Sequence, residues 1–182
     1  AVMGLTVAPD GTLFIVDQID TDPRTASGVI LQIRDGMINR FAEGGFVAPN
    51  DITVDNVGRV YVSDPGGGEI RRFNPDGTGD TVWWTPPASA AGETSISLTG
   101  LAYDPVRDAI IVTDPEVNDI YRISIADGTA ELIYHHGDRE NPPGFDGATV
   151  TPDGALYVAA LGQNGIARVE DGRLDYVAGL FR

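Results

Sequence analysis

The sequence predicts an all-β protein, a β-propeller built from four-stranded antiparallel blades. A pattern of strand, tight turn and strand recurs four times. The residues that close the second strands lie 47, 50 and 46 residues apart: Asp17, Asp64, Asp114 and Ala160. A period of about 40–50 residues made of short strands is typical of propeller blades. Asp-Gly turns between apolar runs favour hairpins, and no stretch shows sustained helical periodicity.

Each copy is predicted to open with two strands joined by a turn that is rich in Pro, Asp and Gly. The predicted first strands are Gly4–Val7, Asp51–Val54, Gly100–Tyr103 and Gly147–Val150. The predicted second strands are Leu13–Val16, Val60–Val62, Ile110–Val112 and Leu156–Val158. We also expect the polar segment Gln18–Gly28 to be a surface loop. Its acidic residues either are simply solvated or attract a cation.

Two further strands complete each copy, joined by a polar turn. The predicted third strands are Val29–Ile33, Glu69–Phe73, Asp119–Ile123 and Gly165–Val169. The predicted outer strands are Ile38–Phe41, Thr81–Trp84, Ala130–Tyr134 and Leu174–Val177. The chain is thus one propeller domain or propeller segment, with blade-like repeats at about 1–46, 47–95, 96–142 and 143–182. Because a ring must close to bury its edge strands, we expect these four blades to be part of a larger ring, and open edges to favour self-association.

Composition limits the classes of partner. The 182 residues carry a formal net charge of −15, with 27 acidic residues, 12 arginines and no lysine. This charge repels nucleic acid and anionic membranes, so we expect neither as a partner. Aspartate in turns explains most of the acidity, with adaptation to high salt as the alternative. Cysteine is absent and no run reaches membrane-spanning length, so we expect a soluble protein without disulfides, cytoplasmic or secreted.

The residues directly before the first strands are the main candidates for a functional site. They are Met3, Asn50, Thr99 and Asp146, at spacings of 47, 49 and 47 residues. In a propeller the first strand of each blade lies nearest the central channel, so residues at this register converge on one axial mouth. Asn50 and Asp146 supply oxygen donors, which suit Ca²⁺ first and Mg²⁺ or Mn²⁺ next. From the residues alone, caps of turns are an equal alternative for both.

Two adjacent histidines, His135 and His136, follow the third outer strand. Neighbouring side chains rarely converge on one ion, and surface-loop histidines are the default interpretation. A catalytic histidine in a lyase-type propeller is the alternative.

Three stretches resemble the senescence-marker-protein/gluconolactonase (regucalcin-like) family. They are Pro49–Asp55 running into Tyr61–Pro65, Thr99–Pro105 with Ile111–Asp114, and Phe145–Gly147 with Pro152–Ala159 and Gly165–Val169. The resemblance spans nearly the whole chain, in the order and spacing of that family. It implies a six-bladed propeller with one axial divalent cation, held by a Glu from the first blade, two Asn and one Asp.

The resemblance also implies roles for individual residues. Asn50 would contact the metal or the substrate, and Asp146 would be a metal ligand and the general base. Thr99 stands where the family has its second Asn and would contact the substrate, although it is a poorer ligand. The first-blade Glu would lie upstream of Ala1. Ca²⁺ is the expected cofactor, with Mg²⁺, Mn²⁺ or Zn²⁺ as alternatives.

The function that follows is a metal-dependent hydrolase acting on a lactone or related ester, a small-molecule substrate, at the axial channel. A non-catalytic propeller that binds a protein or glycan is the alternative, and Thr99 in place of Asn favours it. The lyase-type reaction at His135 or His136 is a third possibility. Propellers host many chemistries, so the fold alone does not decide between them.

Overall fold

The computed structural model describes residues 1–20, 27–43, 45–86 and 97–179. In these ranges sixteen strands form four antiparallel sheets of four strands, each in sequence order. The predicted β-propeller of four-stranded antiparallel blades is confirmed. Contacts divide the chain into two compact units, Ala1–Pro87 and Ala88–Arg182, and each unit contains two blades. The larger, six-bladed ring stays a prediction.

Unit 1 contains the first two blades. The strands of blade 1 are β1 (Val2–Val7), β2 (Leu13–Asp20), β3 (Ser27–Arg34) and β4 (Met37–Glu43). The strands of blade 2 are β5 (Ile52–Val54), β6 (Val60–Asp64), β7 (Glu69–Phe73) and β8 (Thr81–Trp84). The prediction of a loop from Gln18 to Gly28 is wrong at both ends. Gln18 pairs with Gly28 and Asp20 with Ser27, so the backbone ladder extends to Asp20 and Ser27; residues 21–26 lie outside the described ranges.

The core of unit 1 consists of side chains from alternating positions of the strands, as the period of two in a strand requires. Val16, Ile30, Val60 and Val62 are fully buried in it. Aromatic rings fill the remaining space, with Phe14 packed edge-on against Phe41 and Phe46 tilted against Phe73. The ring centroids lie 4.8 and 5.8 Å apart. This packing fixes the ends of the strands that carry the candidate site.

Unit 2 contains the other two blades. The strands of blade 3 are β9 (Leu101–Asp104), β10 (Ala109–Asp114), β11 (Asp119–Ser124) and β12 (Ala130–His135). The strands of blade 4 are β13 (Phe145–Val150), β14 (Leu156–Ala160), β15 (Gly165–Glu170) and β16 (Arg173–Gly179), with a single 3₁₀ turn at Leu161–Gln163. Its core contains Ile111, Ile120, Phe145 and Val158, all nearly inaccessible to solvent. Phe145 packs edge-on against Tyr134, at 5.6 Å between ring centroids, and so joins β13 to β12 of the preceding blade.

The Asp-Gly turns have the backbone that the sequence predicts. Asp35 and Gly36, between β3 and β4, both have positive φ, at 51° and 74°. Asp171 and Gly172, between β15 and β16, repeat this pattern at 49° and 70°. Positive φ at both central residues defines the tight hairpin turn whose twist matches that of the strands. Within the described ranges, no helix has the length and apolar character that a membrane crossing requires.

Candidate functional site

Met3 and Asp146 were predicted to precede the first strands of their blades, but they lie inside β1 and β13, each at a β-bulge. In blade 1, Val2 pairs with Asp17 and Leu5 with Ile15, so two residues of β1 face one residue of β2. In blade 4, Phe145 pairs with Ala160 and Ala148 with Val158, which places the bulge at Asp146. A bulge adds one residue to a ladder and changes the direction of its side chain, and bulges are frequent beside active sites.

A hydroxyl group completes the same bulge in the two middle blades. In blade 2 the Asn50 N–H donates to Ser63 O at 2.9 Å, and the Asp51 N–H donates to Ser63 Oγ at 2.9 Å. In blade 3 the Thr99 N–H donates to Thr113 O at 3.0 Å, and the Gly100 N–H donates to Thr113 Oγ1 at 2.8 Å. In each blade the hydroxyl thus accepts the one N–H group that the bulge leaves without a partner in the ladder. A buried N–H without a partner would be costly.

In unit 1 the chain before Asn50 is held by a buried carboxylate. Asp64, at the end of β6, accepts the N–H groups of Val47 and Ala48, each at 2.7 Å. Asn50 itself is half-buried, and its side-chain amide makes no hydrogen bond within the described part of the chain. Its carbonyl lies against Gly4 of blade 1, where an added Cβ would be 2.8 Å from Asn50 O. The amide oxygen of Asn50 is thus held on a fixed backbone and is available to a ligand.

In unit 2 the backbones of blades 3 and 4 meet at Asp146. Thr113 Oγ1 donates to Asp146 O at 2.6 Å, and Thr99 Oγ1 donates to Phe145 O at 3.4 Å. A Cβ on Gly100 would overlap the carbonyl oxygen of Asp146, so this approach requires glycine. The Asp146 side chain is half-buried, and its carboxylate makes no hydrogen bond within the described residues. Unit 2 therefore brings Thr99 and Asp146 together, as expected for residues that share a register.

Thr113 and Ser63 are the site residues that sequence reasoning missed. Thr113 is fully buried and contacts the backbone on both sides of the bulge, at Gly100 and at Asp146. Thr99 Oγ1 lies 3.3 Å from Thr113 Oγ1, so the Thr99 hydroxyl is part of the same network. The sequence did contain a pattern that could have revealed them. In blades 2 and 3 a hydroxyl residue, Ser63 or Thr113, stands directly before the Asp that closes the second strand.

The carboxylate next to this network has an unusual environment. Asp114 is fully buried, and its Oδ1 accepts the N–H of Glu116 at 3.0 Å. Its Oδ2 has no hydrogen-bond partner within the described residues, unlike the equivalent Asp64. Burial raises the pKa of Asp114 to about 6, with a smaller contribution from the nearby charge of Asp119. Asp114 therefore changes its charge close to neutral pH.

The two histidines lie away from the bulge register. His135 Nδ1 is 2.6 Å from Asp119 Oδ1, and His136 Nδ1 is 3.0 Å from the Tyr134 hydroxyl. His135 closes β12, the outer strand of its sheet, and two strands separate it from β9. Both histidines thus contact side chains of their own blade, and neither shares the register of Thr99.

The donors at the bulge register are oxygens, which fit a hard divalent cation. No group of three or more His, Asp or Glu side chains in the described ranges is arranged to hold a metal ion. Asn50 and Asp146 each offer an oxygen without a hydrogen-bond partner in those ranges. Oxygen donors of this kind fit Ca²⁺ better than zinc.

Comparison with known proteins agrees with the predicted resemblance. None of the protein-family models searched matches the chain. A pentonolactonase of Haloferax volcanii is 27% identical over 173 residues, which cover 87% of this chain and 52% of that protein. The chain thus spans about half the length of the curated relative that it matches.

Solved structures share the fold. A gluconolactonase from Xanthomonas campestris aligns with a TM-score of 0.71 at 19% identity, covering 99% of this chain and 62% of that one. A virginiamycin B lyase from Staphylococcus aureus aligns with a TM-score of 0.71 at 22% identity, covering 97% and 55%. At these identities the solved structures show the β-propeller fold alone, while the curated relative carries the sequence similarity. The sequence similarity to a pentonolactonase supports the predicted resemblance, and the solved structures share the predicted fold.

Proposed function

We propose that this chain is part of a metal-dependent hydrolase that acts on a lactone or a related ester. The observation that carries the proposal is the sequence similarity to a pentonolactonase over 87% of the chain. The half-buried carboxylate of Asp146, placed on a bulge that Thr113 and Gly100 hold in position, supports it. The relatives' names indicate a small-molecule substrate.

Asn50 and Asp146 are the proposed ligands of the cation, for which Ca²⁺ is the first candidate. The basis is their common register in the repeat and the oxygen that each offers. When bound, the cation would polarise the carbonyl oxygen of the ester and stabilise the negative charge that develops on it. The remaining ligands implied by the resemblance are not provided by equivalent residues, since Thr99 replaces an Asn.

Asp146 is the proposed catalytic residue. As a general base its carboxylate would take a proton from a water molecule whose oxygen attacks the carbonyl carbon. The carbon–oxygen bond of the ring then breaks, and the leaving oxygen takes the proton, giving a hydroxy acid. Direct attack by the carboxylate is the alternative route through the same residue. Thr99, beside Asp146 in unit 2, is the proposed contact to the substrate.

The experiment is lactone hydrolysis by the wild-type protein and by Asp146→Asn, with and without a chelator of divalent cations. We expect Asp146→Asn to lose activity by about 100-fold or more, because the catalytic base is removed. Asp153→Asn is the matched control, since Asp153 lies in the β13–β14 turn of the same blade and is exposed. The chelator should abolish activity and Ca²⁺ should restore it. Full activity in Asp146→Asn would overturn the assignment.

A further inference from the structure

A cavity of about 320 Å³ lies in unit 1, at the end of the strands opposite to Asn50. It is lined by the β1–β2 turn of blade 1 and the β5–β6 turn of blade 2. Its wall includes Ala8, Thr12, Phe14, Gln32 and Val54. The volume is within the range of small-ligand pockets. Nothing in the proposed hydrolase chemistry uses this end of the unit.

The residues of blade 1 that line the cavity have equivalents in blade 2, because the two blades are copies of one repeat. The pairs Thr6–Phe14 and Phe14–Gln32 in blade 1 correspond to Thr53–Tyr61 and Tyr61–Arg72 in blade 2. Asp55 then corresponds to Ala8, and Arg59 to Thr12, since the turns have the same hydrogen bond from the first residue to the fifth. Asp55 is fully buried, accepts Arg59 Nε at 2.5 Å and accepts the Tyr61 hydroxyl at 3.2 Å.

Blade 3 has a charged network at this register as well. Asp104 is almost fully buried and accepts Arg107 Nη1 at 3.1 Å. Its Oδ2 also lies 3.6 Å from Nε of Arg122, which occupies the register of Gln32. Charged groups therefore fill this position in both middle blades.

Blade 1 replaces this network by neutral side chains in four places at once. Ala8 lacks the carboxylate, Phe14 lacks the hydroxyl, and Thr12 and Gln32 lack the guanidinium groups of Arg59 and Arg72. The removed groups leave the hollow that Ala8, Thr12, Phe14 and Gln32 line. The Thr12 side chain is hydrogen-bonded to Asp10, and Gln32 is a half-buried neutral polar side chain in the wall of the hollow.

We propose that this cavity binds a small uncharged molecule that combines an apolar ring with a hydroxyl group. Phe14, Val54 and Ala8 provide apolar walls, and the side-chain amides of Gln32 and Asn56 provide neutral polar groups. Arg34 at the edge is paired with Asp10 at 3.3 Å, so it leaves no net charge for an ionic ligand to neutralise. Phenol is the simplest molecule with these properties and is the probe for the test.

The experiment is a titration of the ¹⁵N-labelled protein with phenol, followed by amide chemical shifts. We expect saturable shifts at Ala8, Thr12, Gln32 and Val54, and none at Asn50. Toluene, which lacks the hydroxyl, should bind at least several-fold more weakly. Absence of saturable shifts with phenol, or equal binding of toluene, would overturn the proposal.

Two variants test the site itself. The pair Ala8→Asp with Thr12→Arg rebuilds the Asp55–Arg59 arrangement of blade 2 inside the cavity, and it should weaken phenol binding at least tenfold. Ala8→Val adds only two methyl groups and should also weaken binding, which keeps the test available if the double variant does not fold. Unchanged phenol binding in a folded variant of either kind would contradict the proposed location.

Discussion

Thr113 connects the two blades of unit 2 through a single hydroxyl. It accepts the Gly100 N–H and donates to Asp146 O, so one buried atom holds both sides of the candidate site. Asp146 contributes the reactive carboxylate in the proposed reaction, and Thr113 is a positioning residue for it. The geometry of the site thus depends on a residue that does not itself face the substrate in the proposed mechanism.

Thr113→Val should lower the free energy of unfolding by about 1–3 kcal/mol, because it leaves the Gly100 N–H and Asp146 O without a partner. The measurement is denaturant unfolding, with lactone hydrolysis assayed alongside. Thr113→Ser is the matched control, since Ser63 performs the same task in blade 2. A Thr113→Val variant as stable as Thr113→Ser would show that this hydroxyl is not needed.

Asp114 makes stability depend on pH. Its pKa is raised to about 6 in the folded protein, above the unfolded value, so the folded state holds the proton more tightly between about pH 4 and pH 6. Its stabilising contribution is fully present below about pH 4 and is lost as the pH rises through 6. The expected loss is on the order of 3 kcal/mol at pH 7.

Thermal unfolding of wild type and Asp114→Asn at pH 4 to 8 measures this effect. The difference between the two proteins should change in favour of the variant across pH 4 to 6 and stay constant above pH 7. A difference that is independent of pH would mean that Asp114 titrates normally.

At the scale of the strand, the first strand of blade 3 requires a glycine where it meets blade 4. A Cβ on Gly100 would overlap Asp146 O and lie 2.7 Å from Thr113 Oγ1. Gly100→Ala should therefore destabilise unit 2 by about 1–3 kcal/mol and reduce hydrolysis, because the bulge and Asp146 must move apart. Gly147→Ala, next to Asp146, is the matched control, since nothing lies within 4 Å of its added Cβ. Equal stability of the two variants would contradict the close approach.

Strands and hairpins were predictable because each is a short apolar run bounded by turn residues. Asp35-Gly36 and Asp171-Gly172 encode their turns locally, through tolerance of positive φ. The bulge at Asp146 was not predictable, because one extra residue in a ladder leaves the apolar pattern of β13 nearly unchanged. The continuation of β2 through Gln18 was missed for a related reason: backbone pairing tolerates polar side chains, so polarity alone does not end a strand.

At the scale of the whole molecule, the repeat determined where to look for the site. The common register predicted that residues distant in sequence would lie close together. In unit 2 the Thr99 hydroxyl donates to Phe145 O, directly before Asp146 in the chain, and the role of both residues in one site stays a prediction. The identity of a cation was beyond sequence reasoning, because it depends on the number and the geometry of all of its ligands. The six-bladed ring, self-association through open edges and the choice of Ca²⁺ remain predictions.

Calorimetric titration of the protein with Ca²⁺ tests the central claim most directly. The proposal predicts saturable binding in the wild type and in Asp153→Asn, and its loss in Asp146→Asn and in Asn50→Ala. All four proteins should unfold cooperatively, which shows that any loss of binding is local. Binding that persists unchanged in Asp146→Asn, or no binding in the wild type, would contradict the assignment of Asn50 and Asp146 as ligands of one cation.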